Sequence, residues 1–312
     1  MAEDRADNSS NTIHVDTSTL LKLRHEARGF SFLPKQPISS LLSGRKRSRL
    51  RGRGLDFEEL RHYRPGDDIR TMDWRVTNRT GKPHVRVYTE EKDRPVVFLV
   101  DQRMSMFFGS RLKMKSVVAA ELAALGAWRV LDQGDRVGAI LFSDEEVRQV
   151  RPSRGQRSLM SMLSQLSTMN QSLDTANAQP SQTDKLAEVI AVAERMVGHD
   201  YLVVLISDFE GWSDKCIAGI KRMAQHNDLI AGLIYDPLEG DISSATNLVV
   251  SDGQFQMQLQ PDERQLGERF EQSFQSQLGA IQAELRKHDI PILTINTVDP
   301  VGSQLRALIG QR

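Results

Sequence analysis

The chain has 312 residues, 39% of them hydrophobic and 26% charged, and its 41 lysines and arginines equal its 41 aspartates and glutamates. That composition suits one or two globular domains with a sizeable core, and the zero net charge excludes a whole-molecule field steering it to nucleic acid or an anionic membrane. Cys216 is the only cysteine, which excludes an intrachain disulfide and a cysteine metal cluster and points to a reducing compartment, the cytoplasm by default.

The opening MAEDRADNSSNTIHVDTS lacks the basic start and apolar run of a signal peptide, and no apolar run of about 18 residues occurs anywhere. Residues 1 to about 14 are polar and patternless and predict a mobile tail. VDTSTLLKLRHEAR then predicts a short amphipathic helix capped by Asp16 or Thr17, with Leu20, Leu21 and Leu23 on one side, ended by GFSFLPKQP. In SGRKRSRLRGRG, six of the nine residues from Arg45 to Arg53 are basic. The run reads as a solvated loop. A phosphate-binding arm is the alternative, weakened by the lack of interleaved aromatic residues.

The segment from Gly54 to Asp93 is dense in opposite charges: Arg61, Arg64, Arg70, Arg75 and Arg79 alternate with Glu58, Glu59, Asp67, Asp68 and Asp73. Forked arginine–carboxylate pairs are expected to satisfy most of them internally. Pro65-Gly66 predicts a turn, Trp74 an anchor and HVRVY a short strand. The segment is expected to brace the domain that follows, with a partner-binding surface as the other reading.

From about residue 95, apolar runs alternate with helical patterns, which predicts an α/β fold with a doubly wound, mainly parallel sheet. VVFLV (96 to 100), RVGAILF (136 to 142), YLVVLIS (201 to 207), DLIAGLIY (228 to 235) and IPILTI (290 to 295) read as strands covered on both faces. Helices are expected over Leu112 to Leu131, over Leu186 to Val197 and after Pro261, where Leu266, Phe270, Phe274, Leu278, Ile281 and Leu285 form a stripe read as core. NLVVSDGQFQMQLQ predicts a hairpin turning at Asp252-Gly253 and added to the sheet edge. Three regions follow: a tail and short helix over residues 1–42, the charged segment over 43–94 and the α/β domain over 95–312.

Phosphate-loop, HExxH, GxSxG and strand-following GxGxxG patterns are absent, and none of the seven histidines pairs at ligand spacing. What remains is polar residues at strand ends, where open α/β sheets bind ligands. Asp101 ends VVFLV and is followed by Ser105, Asp208 ends YLVVLIS, and Thr183 stands before a helix. Two carboxylates with hydroxyls form the oxygen shell that Mg2+ takes.

This constellation resembles the metal-ion-dependent adhesion site of von Willebrand factor A domains, an Asp-x-Ser-x-Ser loop with a threonine and an aspartate from two other loops. Here the first loop reads Asp101-Gln102-Arg103-Met104-Ser105, so an arginine replaces the first serine. A guanidinium has no lone pair for a metal and is expected to pair with Asp101 or Asp208 instead, leaving a degenerate site. LVDQRMSM also resembles the phospho-accepting strand end of a response-regulator receiver, with Asp67-Asp68 the only upstream acidic pair. A dehalogenase Asp-x-Asp pattern fails at Arg103.

The charged segment resembles, at length, the signature of the domain-of-unknown-function 58 family, carried here by Arg61, Tyr63, Arg64, Gly66, Asp67, Asp68, Arg70, Asp73 and Trp74. INTVDPVGSQLRALIGQR is similar to the family's last strand and helix. The resemblance covers roughly residues 40 to 312 and implies a von Willebrand factor A (Rossmann-like) domain behind an N-terminal β-containing extension. It further implies a non-enzymatic, interaction or adaptor role beside a MoxR-type AAA+ ATPase or its client. Mg2+ at the degenerate site is the one cofactor it suggests. The alternatives are phosphoryl transfer through Asp101 and nucleic-acid binding through the basic arm.

Overall fold

Helix α1, Thr17–Lys22, begins where the Asp16 carboxylate accepts from the Thr19 backbone N–H at 2.7 Å, the cap expected from the sequence. The computed structural model describes residues 13–29, 55–65, 67–90, 94–175, 184–240, 248–251, 256–259 and 264–310. Two compact units emerge, residues 43–93 and residues 1–42 together with 94–312. Most of the expected tail, the basic run from Arg45 to Arg53, Gly66 and Thr183 lie outside the described residues.

In the smaller unit, β1 (Leu55–His62) pairs antiparallel with β2 (His84–Glu90), with a register shift between Phe57 and Glu59. Between them lie a 3-10 turn, Ile69–Thr71, capped by Asp68, and helix α2, Trp74–Thr80, capped by Asp73. Gly81, at φ 69°, ends α2 in the left-handed conformation that a side chain would disfavour.

The larger unit continues with β3 (Pro95–Asp101), α3 (Lys115–Asp132), β4 (Arg136–Phe142), β5 (Val147–Ser153), α4 (Gln156–Gln171), α5 (Lys185–Met196), β6 (Leu202–Ser207) and α6 (Asp214–Ala224). Then come β7 (Asp228–Tyr235), the single turn α7 (Pro237–Gly240), β8 (Leu248–Ser251), β9 (Gln256–Leu259), α8 (Arg264–Lys287), β10 (Ile292–Asn296) and α9 (Val301–Gly310). Six strands form one sheet in the order β10-β7-β6-β3-β4-β5, parallel except for the last pair. This is a mixed α/β, Rossmann-like sheet flanked by helices.

Alternation along β3 shows how the faces are divided. Val96, Phe98 and Val100 meet a core that includes Leu20, α3 and α4, while Val97 and Leu99 meet one built from α5, α6, Ile281 and Leu285. Being covered on both sides is what makes these strands continuous apolar runs.

Three expectations are corrected. The hairpin of β8 and β9 is a two-stranded sheet of its own and not an edge of the main one; its Asp252-Gly253 turn lies outside the described residues. His14, assigned to the tail, is held: its Nδ1 lies 3.0 Å from Asn170 O and its ring stacks on Phe107. Next to it Val15 is buried and donates its N–H to Asn170 Oδ1 at 2.7 Å. Strand β5 was missed, because VRQVRPS mixes charges and a proline as edge strands do.

Two substitutions test this packing. Gly138 in β4 lies at the register shift against β5, where an added Cβ would stand 2.8 Å from the Pro152 ring. Gly138→Ala is expected to lower stability by about 1–3 kcal/mol, measured by urea unfolding. Asn170→Ala leaves Val15 N–H and Gln102 Oε1 without their partner. The expected cost is about 1–3 kcal/mol, with faster tryptic cleavage after Lys22 and Arg24 as α1 loosens.

Candidate functional site

Because the chain adds β4 on one side of β3 and later β6 on the other, strand order reverses between β3 and β6. Ligand crevices of open α/β sheets open at such a point, at the carboxyl ends of the strands. Asp101 ends β3 and Asp208 follows β6. The two sequence-predicted acids therefore meet at the switch point.

Arg103 turns into this crevice. Its Nε stands 3.0 and 3.1 Å from the two Asp101 carboxylate oxygens, its Nη2 is 2.7 Å from Asp101 Oδ2 and 3.6 Å from Asp208 Oδ1, and its Nη1 donates to Glu210 O at 3.1 Å. The Asp101 carboxylate also accepts from Ser207 Oγ at 2.6 Å and from the Arg103 backbone N–H at 3.0 Å. Both Asp101 and Arg103 are 0% exposed.

Lys115, at the start of α3, is a second buried cation and was not foreseen. Its Nζ donates to Asp208 Oδ2 at 3.1 Å and to Glu239 Oε1 at 2.5 Å. Burial opposes the Asp208 charge, but Lys115 and Arg103 outweigh it and hold that carboxyl below its usual range. Burial likewise opposes the Lys115 charge, and Asp208 with Glu239 holds the ammonium above its usual range. Burial pushes the Asp101 carboxyl up against the opposing Arg103 fork. A neutral Asp101 would leave a buried guanidinium with only Asp208, 3.6 Å away, so Asp101 and Arg103 stay ionised together.

The supporting loops are fixed by further strand-end acids. Asp144, beyond β4, accepts from Met104 N–H at 2.7 Å, and Asp236, beyond β7, accepts from Ser110 N–H and from Thr297 Oγ1 at 2.8 and 2.5 Å. Phe209 is buried at φ 63°, an uncommon backbone state for a bulky residue, held where its N–H donates to Ser207 Oγ. A cavity of about 290 Å3 adjoins the ion pairs, lined by Lys115, Asp208, Glu210, Tyr235, Glu239, Phe274 and Leu278 among others. Part of the α8 stripe read as core thus forms its apolar wall, while Ile281 and Leu285 are buried as expected.

A magnesium ion does not fit these residues. The Asp101 oxygens are engaged by Arg103 and Ser207, those of Asp208 face Lys115 and Arg103, and position 103 supplies a cation where the metal needs a lone pair. Ser105 Oγ is shielded from solvent beside Glu210 with no partner in hydrogen-bond geometry. Among the described residues no group of three or more His, Cys, Asp or Glu side chains is placed to hold a metal.

In the smaller unit, Arg61 forms a two-toothed pair with Asp67 at 2.7 and 2.8 Å, and Arg86 pairs with Asp73 through Nε and Nη2 at 2.8 and 2.7 Å. The Arg61 fork with the Arg64 backbone N–H holds Asp67 below the usual carboxylate range, and the Val76 backbone N–H with Arg86 does the same for Asp73. Asp68 caps the turn that follows it, and Asp73 caps α2 through Oδ1 while its Oδ2 takes Arg86. Trp74, expected as an anchor, is instead 61% exposed.

The profile of a family described as "Protein of unknown function DUF58" matches residues 59–279, a span that runs from β1 through most of α8. The chain belongs to the DUF58 family. Uncharacterized proteins of Mycobacterium tuberculosis and Mycobacterium bovis are each 27% identical to it over 236 residues, 75% of this chain and 71% of theirs. The crystal structure of the conserved hypothetical protein BatB from Bacteroides thetaiotaomicron aligns with 70% of this DUF58 chain and 96% of its own, at 16% identity and a TM-score of 0.42. Among the described residues of this DUF58 member, no helix is long and apolar enough to cross a membrane.

Proposed function

We propose that this DUF58 protein is a non-enzymatic interaction module of the von Willebrand factor A type. It acts in the cytoplasm as an adaptor for a MoxR-type AAA+ ATPase or that ATPase's client, the partner implied by the family resemblance. The observation that carries this reading is the closure of the crevice charges on themselves: Arg103 and Lys115 stand over Asp101, Asp208 and Glu239. An acid fully buried and engaged by a guanidinium and a hydroxyl makes a rigid floor for recognition and a poor nucleophile. The receiver-like alternative loses support for that reason, and Asp67 and Asp68 are already spent on Arg61 and a turn cap.

Recognition falls to the adjoining cavity, where Phe274 and Leu278 offer an apolar wall and Glu210 an acidic mouth. Such a mouth favours a cationic or amide side chain from the partner and disfavours the carboxylate that a metal-bridged site would take. Metal is not needed for this contact.

A photo-crosslinking side chain placed at Glu210 or at Leu278 in the native cell tests the proposal. The expected product is a covalent adduct with a MoxR-type ATPase or its client, identified by mass spectrometry and formed equally in lysates with and without chelator. Adducts at neither position would refute the crevice as the contact. Adducts lost on chelation would refute the metal-free version.

A further inference from the structure

Among the described residues of the smaller unit, an aromatic ring and several cations have no partners. From Leu60 to Arg86 it carries seven lysines and arginines against three aspartates. Asp67 and Asp73 are taken by Arg61 and Arg86, and Asp68 by the backbone of its own turn. Arg64, Arg70, Arg75 and Arg79 are all exposed, and their guanidinium groups make no ion pair or hydrogen bond among the described residues. In the same run, Trp74 is 61% exposed and Ile69 60% exposed.

Local structure explains why these side chains point outward. Helix α2 turns Val76 and Thr77 inward, where Thr77 Oγ1 accepts from His84 N–H at 3.1 Å, so Trp74, Arg75, Asn78 and Arg79 are left outside. The 3-10 turn before it holds Thr71 through its hydroxyl on Asp68 O and leaves Ile69 and Arg70 exposed. An exposed tryptophan and an exposed isoleucine five residues apart in the chain are costly surface, and tryptophan and arginine are enriched at the energetic centres of protein interfaces. Among the described residues, neither packing nor internal charge balance accounts for them.

We propose that the face formed by Ile69, Arg70, Trp74, Arg75 and Arg79 docks an acidic peptide segment of a partner protein. One apolar or aromatic partner residue packs on Trp74 and Ile69, and flanking aspartates or glutamates pair with the arginines. Charge complementarity decides the occupant, since the three guanidinium groups of Arg70, Arg75 and Arg79, without counter-ions among the described residues, attract carboxylates, and arginine forks bind them two-toothed. A peptide is favoured over a nucleic acid because the exposed Asp68 stands within this run, where it repels a continuous phosphate chain but not a peptide with discrete charges. This surface belongs to the smaller unit, and the proposal stands or falls independently of the adaptor reading.

Displayed random 12-residue peptides, selected on the full chain and counter-selected on a Trp74→Ala/Arg75→Glu variant, provide the test. Retained sequences are expected to combine aspartate or glutamate with one large apolar residue. Synthetic copies should bind at least roughly tenfold more weakly to Trp74→Ala and to Arg70→Glu/Arg75→Glu, and more weakly as salt is raised. Both variants should keep the wild-type unfolding midpoint, since every altered side chain is exposed. Retained peptides without acidic residues, or equal affinity for wild type and variants, would overturn the proposal. So would an oligodeoxythymidine that binds this face more tightly than the peptides and displaces them. Trp74 fluorescence shielded from iodide would also overturn it, by showing the face covered within the protein or by a second copy.

Discussion

Replacing Arg103 with methionine is expected to lower the stability of the protein by about 3–5 kcal/mol, because it leaves the Asp101 carboxylate buried with no counter-ion. Asp101→Asn should cost a similar amount, since it leaves the fully buried Arg103 guanidinium with only Asp208, 3.6 Å away. The double variant Asp101→Asn/Arg103→Met is expected to cost less than the sum of the two by about 2 kcal/mol or more, because no unpaired charge then remains. Asparagine also keeps an acceptor for the position-103 backbone N–H and a partner for Ser207 Oγ. Urea unfolding of the four proteins gives the cycle directly. Additive losses would show that Arg103 and Asp101 do not act as a pair and would remove the reason for a metal-free crevice.

The second large effect concerns Lys115, which joins Asp208 to Glu239. Lys115→Met is expected to destabilise by about 3–5 kcal/mol at neutral pH, for the same reason as at Arg103. Its pH signature is separable. The folded pKa of Lys115 is raised, so its contribution is complete below the unfolded value of about 10.4 and is lost as pH rises above it. Asp208 and Asp236 are depressed despite burial, the first by Lys115 and Arg103 and the second by Ser110 and Thr297. Their contributions are present above the unfolded value of about 3.9 and are lost as pH falls below it. Unfolding midpoints measured from pH 3 to pH 11 should therefore show both limbs in the wild type. The alkaline limb should be shallower in Lys115→Met, and an unchanged alkaline slope would contradict the role given to Lys115.

How much of this was legible in the chain varies with the residue. Strands β3, β4, β6 and β7 were readable because helices cover both faces and select near-continuous apolar runs, and β10, a half-buried edge strand, because its apolar residues still outnumber its polar ones. Strand β5 was hidden by its edge position, and α4 and α6 escaped notice because a helix that packs one face against a sheet carries polar residues on the other. Asp101 and Asp208 stood out as acids ending apolar runs. Asp144 and Asp236 carry the same signal, in LFSD and LIYD, and were missed because they support loops and do not meet at the switch point. The arginines of the smaller unit were expected to find the acids interleaved with them. Sequence alternation cannot tell a carboxylate that pairs with a guanidinium from one that caps the next turn, and here Asp68 caps while Asp73 does both.

The amino-acid sequence by itself determined the parallel strands, the acids at their ends and the presence of an arginine where a metal ligand would stand. Those features depend on local pattern, and local pattern survives in one dimension. Tertiary structure alone decided that Arg103 turns inward onto Asp101, that Lys115 reaches Asp208 and Glu239 across separations of 93 and 124 residues, and that Trp74 faces out. Such pairings depend on which strand ends the sheet order brings within a few ångströms. A charge buried there must find its counter-ion among residues that the fold, not the neighbouring sequence, has placed beside it.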